Sequence, residues 1–224
     1  MVAVGAPHHV TQRGNNRQRI FFSDSDRQVY LAFLAERCRK FGLTLLGYCL
    51  MPNHIHLVAV PERADSLARA LGRAHYDYAA YFNHRRRHSG HVWQNRFYST
   101  PLGRDHLGTA LRYVDLNPVR GGQVQRAADY RWSSARAHLE GSDPSGLLDM
   151  ETWKQICPCG DWAQALAWSN ADEQLAERLR QATRTGRPCG PASFVTALEQ
   201  TLQRPLHRRK PGPAKRCSAV GVCG

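Results

Sequence analysis

Two apolar runs separated by two residues constrain this chain more than any other feature. Leu43–Met51 and His54–Val60 are joined only by Pro52-Asn53. A turn that short predicts an antiparallel β-hairpin. Other elements arrange themselves around it. His8–Arg13 alternates loosely and runs into Gly14-Asn15-Asn16, reading as a first strand and its turn. Ser25-Asp26-Arg27-Gln28 has the form of a capping box, opening a helix with Tyr30, Phe33, Leu34, Cys38 and Phe41 on one face and Gly42 as its stop. Ser66 caps a second helix, with Leu67, Leu71, Ala74, Tyr78 and Tyr81 at helical spacing. His91–Leu102 is aromatic-rich and strand-like. Asp105 caps a third helix, with Leu107, Ala110, Leu111 and Val114 inward, which Pro118 ends. The order β-α-β-β-α-β-α predicts an α+β, ferredoxin-like split βαβ: an antiparallel sheet with helices on one face.

At 224 residues the chain holds one full domain plus an appendage. Hydrophobic residues at 42% and charged residues at 22% exclude wholesale disorder. No apolar run approaches the roughly 18 residues of a membrane span, and no signal-type segment opens the chain, so a cytoplasmic protein is expected. Seven scattered cysteines do not form a secreted disulfide framework, and Cys157-Pro158-Cys159 reads as inert. The net charge is +13, carried by 27 Arg and only four Lys. Guanidinium forks match phosphate oxygens and stack on bases, so this balance points to nucleic acid rather than to an acidic membrane. The charge is uneven: +11 over residues 1–139, −6 over 140–176 and +8 over 177–224. The expected division is a main domain at 1–139, an acidic connecting segment at 140–171, a small helical region at 172–203 and a flexible basic tail at 204–224. Asp172–Thr183 and Pro191–Gln203 are the short helices of that region, open both to simple packing and to a helix–turn–helix.

Three groups of residues could carry chemistry. His54 and His56 are two apart on a strand, so both imidazoles face one way and can reach one metal ion, while Ile55 anchors the opposite face. Two half-exposed strand histidines would give the same pattern, but burying two imidazoles without a partner is costly. No second ligand pair lies nearby to close a structural zinc site, so an open catalytic ion fits better. Tyr113 and Asn117 lie one turn apart on the third helix. An amide oxygen suits Mg²⁺ or Mn²⁺ and a phenol can be a covalent nucleophile, although a half-buried helix tyrosine and a pre-proline asparagine are equally ordinary. Arg85, Arg86 and Arg87 close the second helix, where cations either complement the helix dipole or contact phosphates. Trp93 can stack on a base or fill the core.

Four motifs in order carry a resemblance: Met51-Pro52-Asn53-His54-Ile55-His56, Trp93-Gln94-Asn95-Arg96-Phe97-Tyr98, Arg112-Tyr113-Val114-Asp115-Leu116-Asn117-Pro118-Val119-Arg120 and Trp132-Ser133-Ser134. The chain resembles the single-tyrosine HUH transposases, and among them the REP-associated tyrosine transposases of bacteria. The resemblance implies a catalytic domain at 1–139 in which His54, His56 and Asn117 hold a divalent ion, Mg²⁺ or Mn²⁺, and Tyr113 attacks a single-stranded DNA phosphate. It implies a hairpin-bearing, REP-like DNA as partner, cleaved and rejoined through a 5′-phosphotyrosine without ATP. The setting is then the bacterial cytoplasm beside nucleoid DNA, and the protein a monomer or a homodimer. Tyr76, Tyr78, Tyr81 and Tyr98 are rival nucleophiles. Arg85, Arg86, Arg87, Arg96, Arg208, Arg209 and Lys210 are the candidate DNA contacts.

Two other readings compete: a catalytically silent nucleic-acid-binding regulator of the same fold, and a metal-dependent phosphodiester hydrolase. The hydrolase usually needs a third histidine two residues on, where this chain has Val58. The tail generates a prediction. Arg204, Arg208, Arg209, Lys210, Lys215 and Arg216 lie together with no acidic residue among them. Each phosphate such an arm neutralises adds a salt slope of about 0.7 on single strands. Ending the chain after Gln203 should weaken DNA binding at low salt and flatten its salt dependence, measured as affinity against ionic strength. Coincident lines for the two proteins would show that the tail does not touch DNA.

Overall fold

Strands β1 (His8–Arg13), β2 (Leu43–Met51), β3 (His54–Pro61) and β4 (Tyr98–Pro101) hydrogen-bond in the order β2-β3-β1-β4, every neighbouring pair antiparallel. This computed structural model describes residues 1–156, 161–166 and 170–207; Cys157, Cys159, Arg208, Arg209 and Lys210 lie outside the described residues. The sheet order is that of the expected ferredoxin-like split βαβ, with β2 and β3 as the hairpin. Its crossover helices, α1 (Asp24–Phe41) and α2 (Ser66–Arg86), pack on each other and over the sheet face that buries Val10, Ile55 and Leu57. The third helix, α3 (Arg104–Asp115), lies against the opposite face, which carries His9 and His56. The approach is close. A Cβ on Gly47 of β2 would meet Leu111 Cδ2 at 2.8 Å, so a larger residue there would displace the Leu111 side chain of α3.

Several boundaries differ from the sequence expectation. Helix α1 is capped by Ser23, not Ser25: its hydroxyl accepts from the Asp26 N–H, and the Asp26 carboxylate accepts from the N–H groups of Ser23 and Phe22. Gly42 ends α1 in the left-handed conformation, as expected. Ser66 is the first helical residue of α2, with Asp65 at the cap position. Of the stretch His91–Leu102 only Tyr98–Pro101 pairs as a strand; Trp93 instead packs on His75 and donates its indole N–H to the His75 carbonyl at 2.9 Å. Pro118 does not simply stop α3. It sits in the first turn of a new short helix, α4 (Asn117–Arg120), where a missing N–H costs nothing.

After α4 come α5 (Ala135–Glu140), α6 (Met150–Ile156), α7 (Trp162–Ala165), α8 (Asn170–Thr185) and α9 (Ala192–Leu202). Leu148, Trp153 and Trp162 belong to the same buried cluster as the sheet. Both sheet edges are covered. Beside β2, Leu50 N–H donates to the Trp132 carbonyl and Ser134 N–H to the Tyr48 carbonyl. Beside β4, Cys189 N–H donates to the Pro101 carbonyl.

Asp115, at the end of α3, is fully buried. Its carboxylate accepts from Ser134 Oγ at 2.6 Å, His138 Nδ1 at 2.7 Å and Trp162 Nε1 at 2.9 Å. His138 Nε2 faces the Leu46 carbonyl at 2.8 Å, so both ring nitrogens meet acceptors and the ring is an imidazolium. Burial pulls the His138 pKa down, but Asp115 and the Leu46 carbonyl outweigh it and the net shift is upward.

Two other buried histidines are neutral and generate a pH prediction. His8 accepts from the Ala3 N–H and donates to the Ala6 carbonyl, and burial lowers it to about 4; burial lowers His75 to about 3. Above pH 6.5 neither ring differs between folded and unfolded chain. Below it the unfolded chain binds more protons, so stability falls as pH drops from 6.5 towards 4, by up to about 1.4 kcal/mol per pH unit for each histidine. Urea denaturation across that window should show the loss, and His75→Gln should reduce its slope. A flat profile would contradict the burial of neutral rings.

Candidate active site

The register of β1 on β3 places Thr11 opposite His56 and His9 opposite Val58, so His9, His54 and His56 project from the same sheet face. Helix α3 brings Tyr113 onto that face. The tyrosine ring stands edge-on to two of the imidazoles, with centroids 5.6 Å from His9 and 5.4 Å from His56. The His54 and His56 rings are 5.0 Å apart and nearly perpendicular. These residues, with Asn117 from α4, line one cleft of about 630 Å³. The structure therefore places His54, His56, Tyr113 and Asn117 on one cleft, with Asn117 opening α4 instead of continuing the third helix as expected.

The imidazoles are held neutral and aimed. Burial first, then the nearby charge of Arg13, lowers His54 to about 4, while the amide oxygen of Asn117, which favours the protonated ring, acts the other way. Burial and the neighbouring rings push His56 well down, and burial lowers His9 to about 3. Asn53 Nδ2 donates to the Arg17 carbonyl, which turns its Oδ1 towards His54 Nδ1 at 2.7 Å. His54 Nδ1 therefore carries the proton, and Nε2 is a lone pair. Behind His56, its Nδ1 is 3.0 Å from His9 Nε2, and His9 Nδ1 is 2.7 Å from Thr183 Oγ on α8.

The other wall is cationic. Arg120, from α4, stacks its guanidinium 3.8 Å over the Tyr113 ring. Arg180, from α8, holds its guanidinium 5.9 Å from the centroid of the same ring. Arg180 is itself anchored on α8 by Glu173 and Glu177. Arg13 and Arg184 add exposed positive charge at the rim. His9, Arg120, Arg180 and Thr183 are not among the residues picked out from sequence. Arg120 carried a signal, three residues after Asn117 in the same short segment; α8 lies about 60 residues away, and nothing in its own pattern ties it to Tyr113.

The donor set suits a divalent ion: two neutral imidazoles and one amide oxygen leave coordination positions open for phosphate. Among the described residues no group of three or more His, Cys, Asp or Glu side chains is placed to hold a metal ion, so this donor set depends on the amide oxygen of Asn117.

Other predicted contacts lie elsewhere. Arg86 pairs with the buried Asp26 at 3.1 Å and stacks 3.6 Å over Phe22, tying α2 to the start of α1. Arg85, Arg87 and Arg96 are exposed, and none of the four lines the cleft. Of the rival tyrosines, Tyr78 is fully buried with its hydroxyl donated to the Ile20 carbonyl, Tyr81 bonds Asp26, and Tyr76 is exposed on α2. Tyr98 is 43% exposed and lines the same cleft as Tyr113.

The family model described as "Transposase IS200 like" matches residues 4–117. No protein with a curated description matches the chain. Among solved structures, a REP-associated tyrosine transposase bound to a REP hairpin is similar, with 20% identity and a TM-score of 0.51 over 64% of this chain and 86% of that one. A Deinococcus radiodurans R1 protein assigned to the transposases aligns at 16% identity and a TM-score of 0.37, over 52% of this chain and 89% of that one. The family match spans half the chain, including all of the sheet and helices α1 to α3, and on that match the chain belongs to the IS200-like transposases.

Proposed function

We propose that this transposase-type protein cleaves and rejoins single-stranded DNA by transesterification, with Tyr113 as nucleophile. The observation that carries the reading is one cleft in which the Tyr113 phenol lies beside His54, His56 and Asn117 and beneath two guanidinium groups. The phenol oxygen attacks the scissile phosphorus and the bond to the 3′-oxygen breaks. The products are a 5′-phosphotyrosine and a free 3′-OH, which takes up a proton as the phenol loses one. The phosphodiester energy stays in the phosphotyrosine, so a 3′-OH can reverse the step without ATP.

Most of the catalysis in this reading is positioning and charge. His54, His56 and Asn117 would hold a divalent cation, Mg²⁺ or Mn²⁺, whose role when bound is to polarise the phosphate. Arg120 and Arg180, whose guanidinium groups lie against the Tyr113 ring, offset charge that develops on the phenol oxygen. Arg13 and Arg184 grip the backbone on either side, and exposed Arg85, Arg87 and Arg96 extend that grip; Arg86, engaged by Asp26, contributes to the shape of α1 and α2 first. The substrate we infer is single-stranded DNA flanked by a hairpin, a class supported by the structural relative that holds one.

Tyr113→Phe should abolish the covalent protein–DNA adduct and cleavage together while leaving DNA affinity intact, assayed on a denaturing gel with labelled hairpin DNA and Mn²⁺. Peptide mapping that found the adduct at Tyr98 would overturn the assignment. His54→Ala and His56→Ala should likewise lose cleavage and retain binding, and Asn117→Ala should mainly raise the metal concentration required. Metal-depleted His56→Ala that cleaves normally on adding Mg²⁺ would remove the metal reading. Arg120→Ala should slow cleavage on the order of 10²-fold, the usual effect of losing one donor at a charged transition state.

A further inference from the structure

We propose that His9 and Thr183 are positioning residues that fix the tautomer of His56 and keep its Nε2 free for the divalent cation. The inference rests on the metal reading of His54 and His56 given above, and extends it to residues 174 positions apart in sequence. It follows from hydrogen-bond polarity. Thr183 Oγ lies 2.8 Å from the Leu179 carbonyl, one turn back in α8. A carbonyl only accepts, so the single hydroxyl proton goes there. Towards His9 Nδ1, at 2.7 Å, the threonine oxygen can therefore only accept, and Nδ1 carries the proton.

Both nitrogens of His9 are taken, and neither partner is a carboxylate that would favour the charged ring. A neutral imidazole has one N–H, so His9 Nε2 is a lone pair and accepts at 3.0 Å from His56 Nδ1. The proton of His56 is thereby placed on Nδ1 and its Nε2 is left bare. The two rings lie nearly parallel, 10° apart, which fixes the direction of that lone pair as well as its existence. His9 is 1% and Thr183 2% exposed, so water does not compete for these bonds. Partners of this kind behind a ligating histidine set ring orientation and basicity, and their loss weakens metal binding by roughly 10- to 100-fold. His54 has its own partner in Asn53, so each imidazole is aimed by a different element: one by the hairpin turn and one by α8.

The test uses full-length, metal-depleted protein with Mn²⁺ as probe and two readouts: Mn²⁺ affinity by titration calorimetry, and the His56 tautomer by long-range ¹H–¹⁵N correlation without metal. Thr183→Val keeps the side-chain shape and removes the hydroxyl. It should weaken Mn²⁺ binding on the order of 10-fold or more and allow the Nε2–H form of His56 to appear. Thr183→Ser should restore both readings. Wild-type affinity with a pure Nδ1–H tautomer in Thr183→Val would overturn the proposal. So would equal loss in the valine and serine variants, which would assign the effect to packing. If Thr183→Val does not fold, His9→Gln, whose amide oxygen can accept from His56, and His9→Phe, which cannot, form the same contrast. His56→Ala separates the two levels. Unchanged Mn²⁺ affinity in that variant removes the metal reading itself, whereas loss there with none in Thr183→Val removes only the relay.

Discussion

The buried carboxylate of Asp115 is the interaction on which the arrangement of this molecule depends. It ends α3, and three donors from two other segments converge on it. Ser134 and His138 reach it from the chain that covers the edge of β2, and Trp162 from α7. His138 in turn bonds the Leu46 carbonyl of β2. A charge with no exposure is tolerable only because every partner is present, and removing one would leave the others unsatisfied. Asp115 lies between Tyr113 and Asn117, so the network that seats α3 on the sheet also sets the height of both residues over the histidines. Gly47 completes the seat by letting Leu111 approach the strand.

The cleft divides electrostatically. On the sheet side are imidazoles kept neutral by burial, with protons on the nitrogens that face into the protein. On the helix side are guanidinium groups, held by Glu173, Glu177 and the tyrosine itself. Under the proposed reading neither side could take the other's role: an imidazolium is no metal ligand, and a neutral ring would not offset phosphate charge. The tyrosine lies at the boundary between them.

The hairpin, the order of elements and the pairs His54/His56 and Tyr113/Asn117 were legible because each depends on local spacing. The misplaced boundaries have local causes too. Ser23 and Ser25 are both helix-start residues, and only the carboxylate of Asp26, turned back to the N–H groups of Ser23 and Phe22, decides between them. Val92, Trp93 and Phe97 give His91–Leu102 the composition of a strand, yet Trp93 is consumed by packing on His75 and only four residues pair with β1. What lay beyond reading was tertiary. The acidic composition that marks 140–171 as a connection conceals Leu148, Trp153 and Trp162, which fill the core. No periodicity in β1 or α8 announces that His9 and Thr183 will meet.

That meeting has a consequence for the order in which the protein assembles. A loop joining positions 9 and 183 encloses most of the chain, and closing it costs little more than closing a shorter one, since each doubling of loop length adds only about 0.6 kcal/mol. The cost is kinetic, because contacts so distant in sequence form late. On a ribosome the sheet, α3 and the tyrosine emerge well before α8. A nascent chain therefore displays the cleft with one wall missing, and that wall is finished only when the helix after the acidic segment has been made.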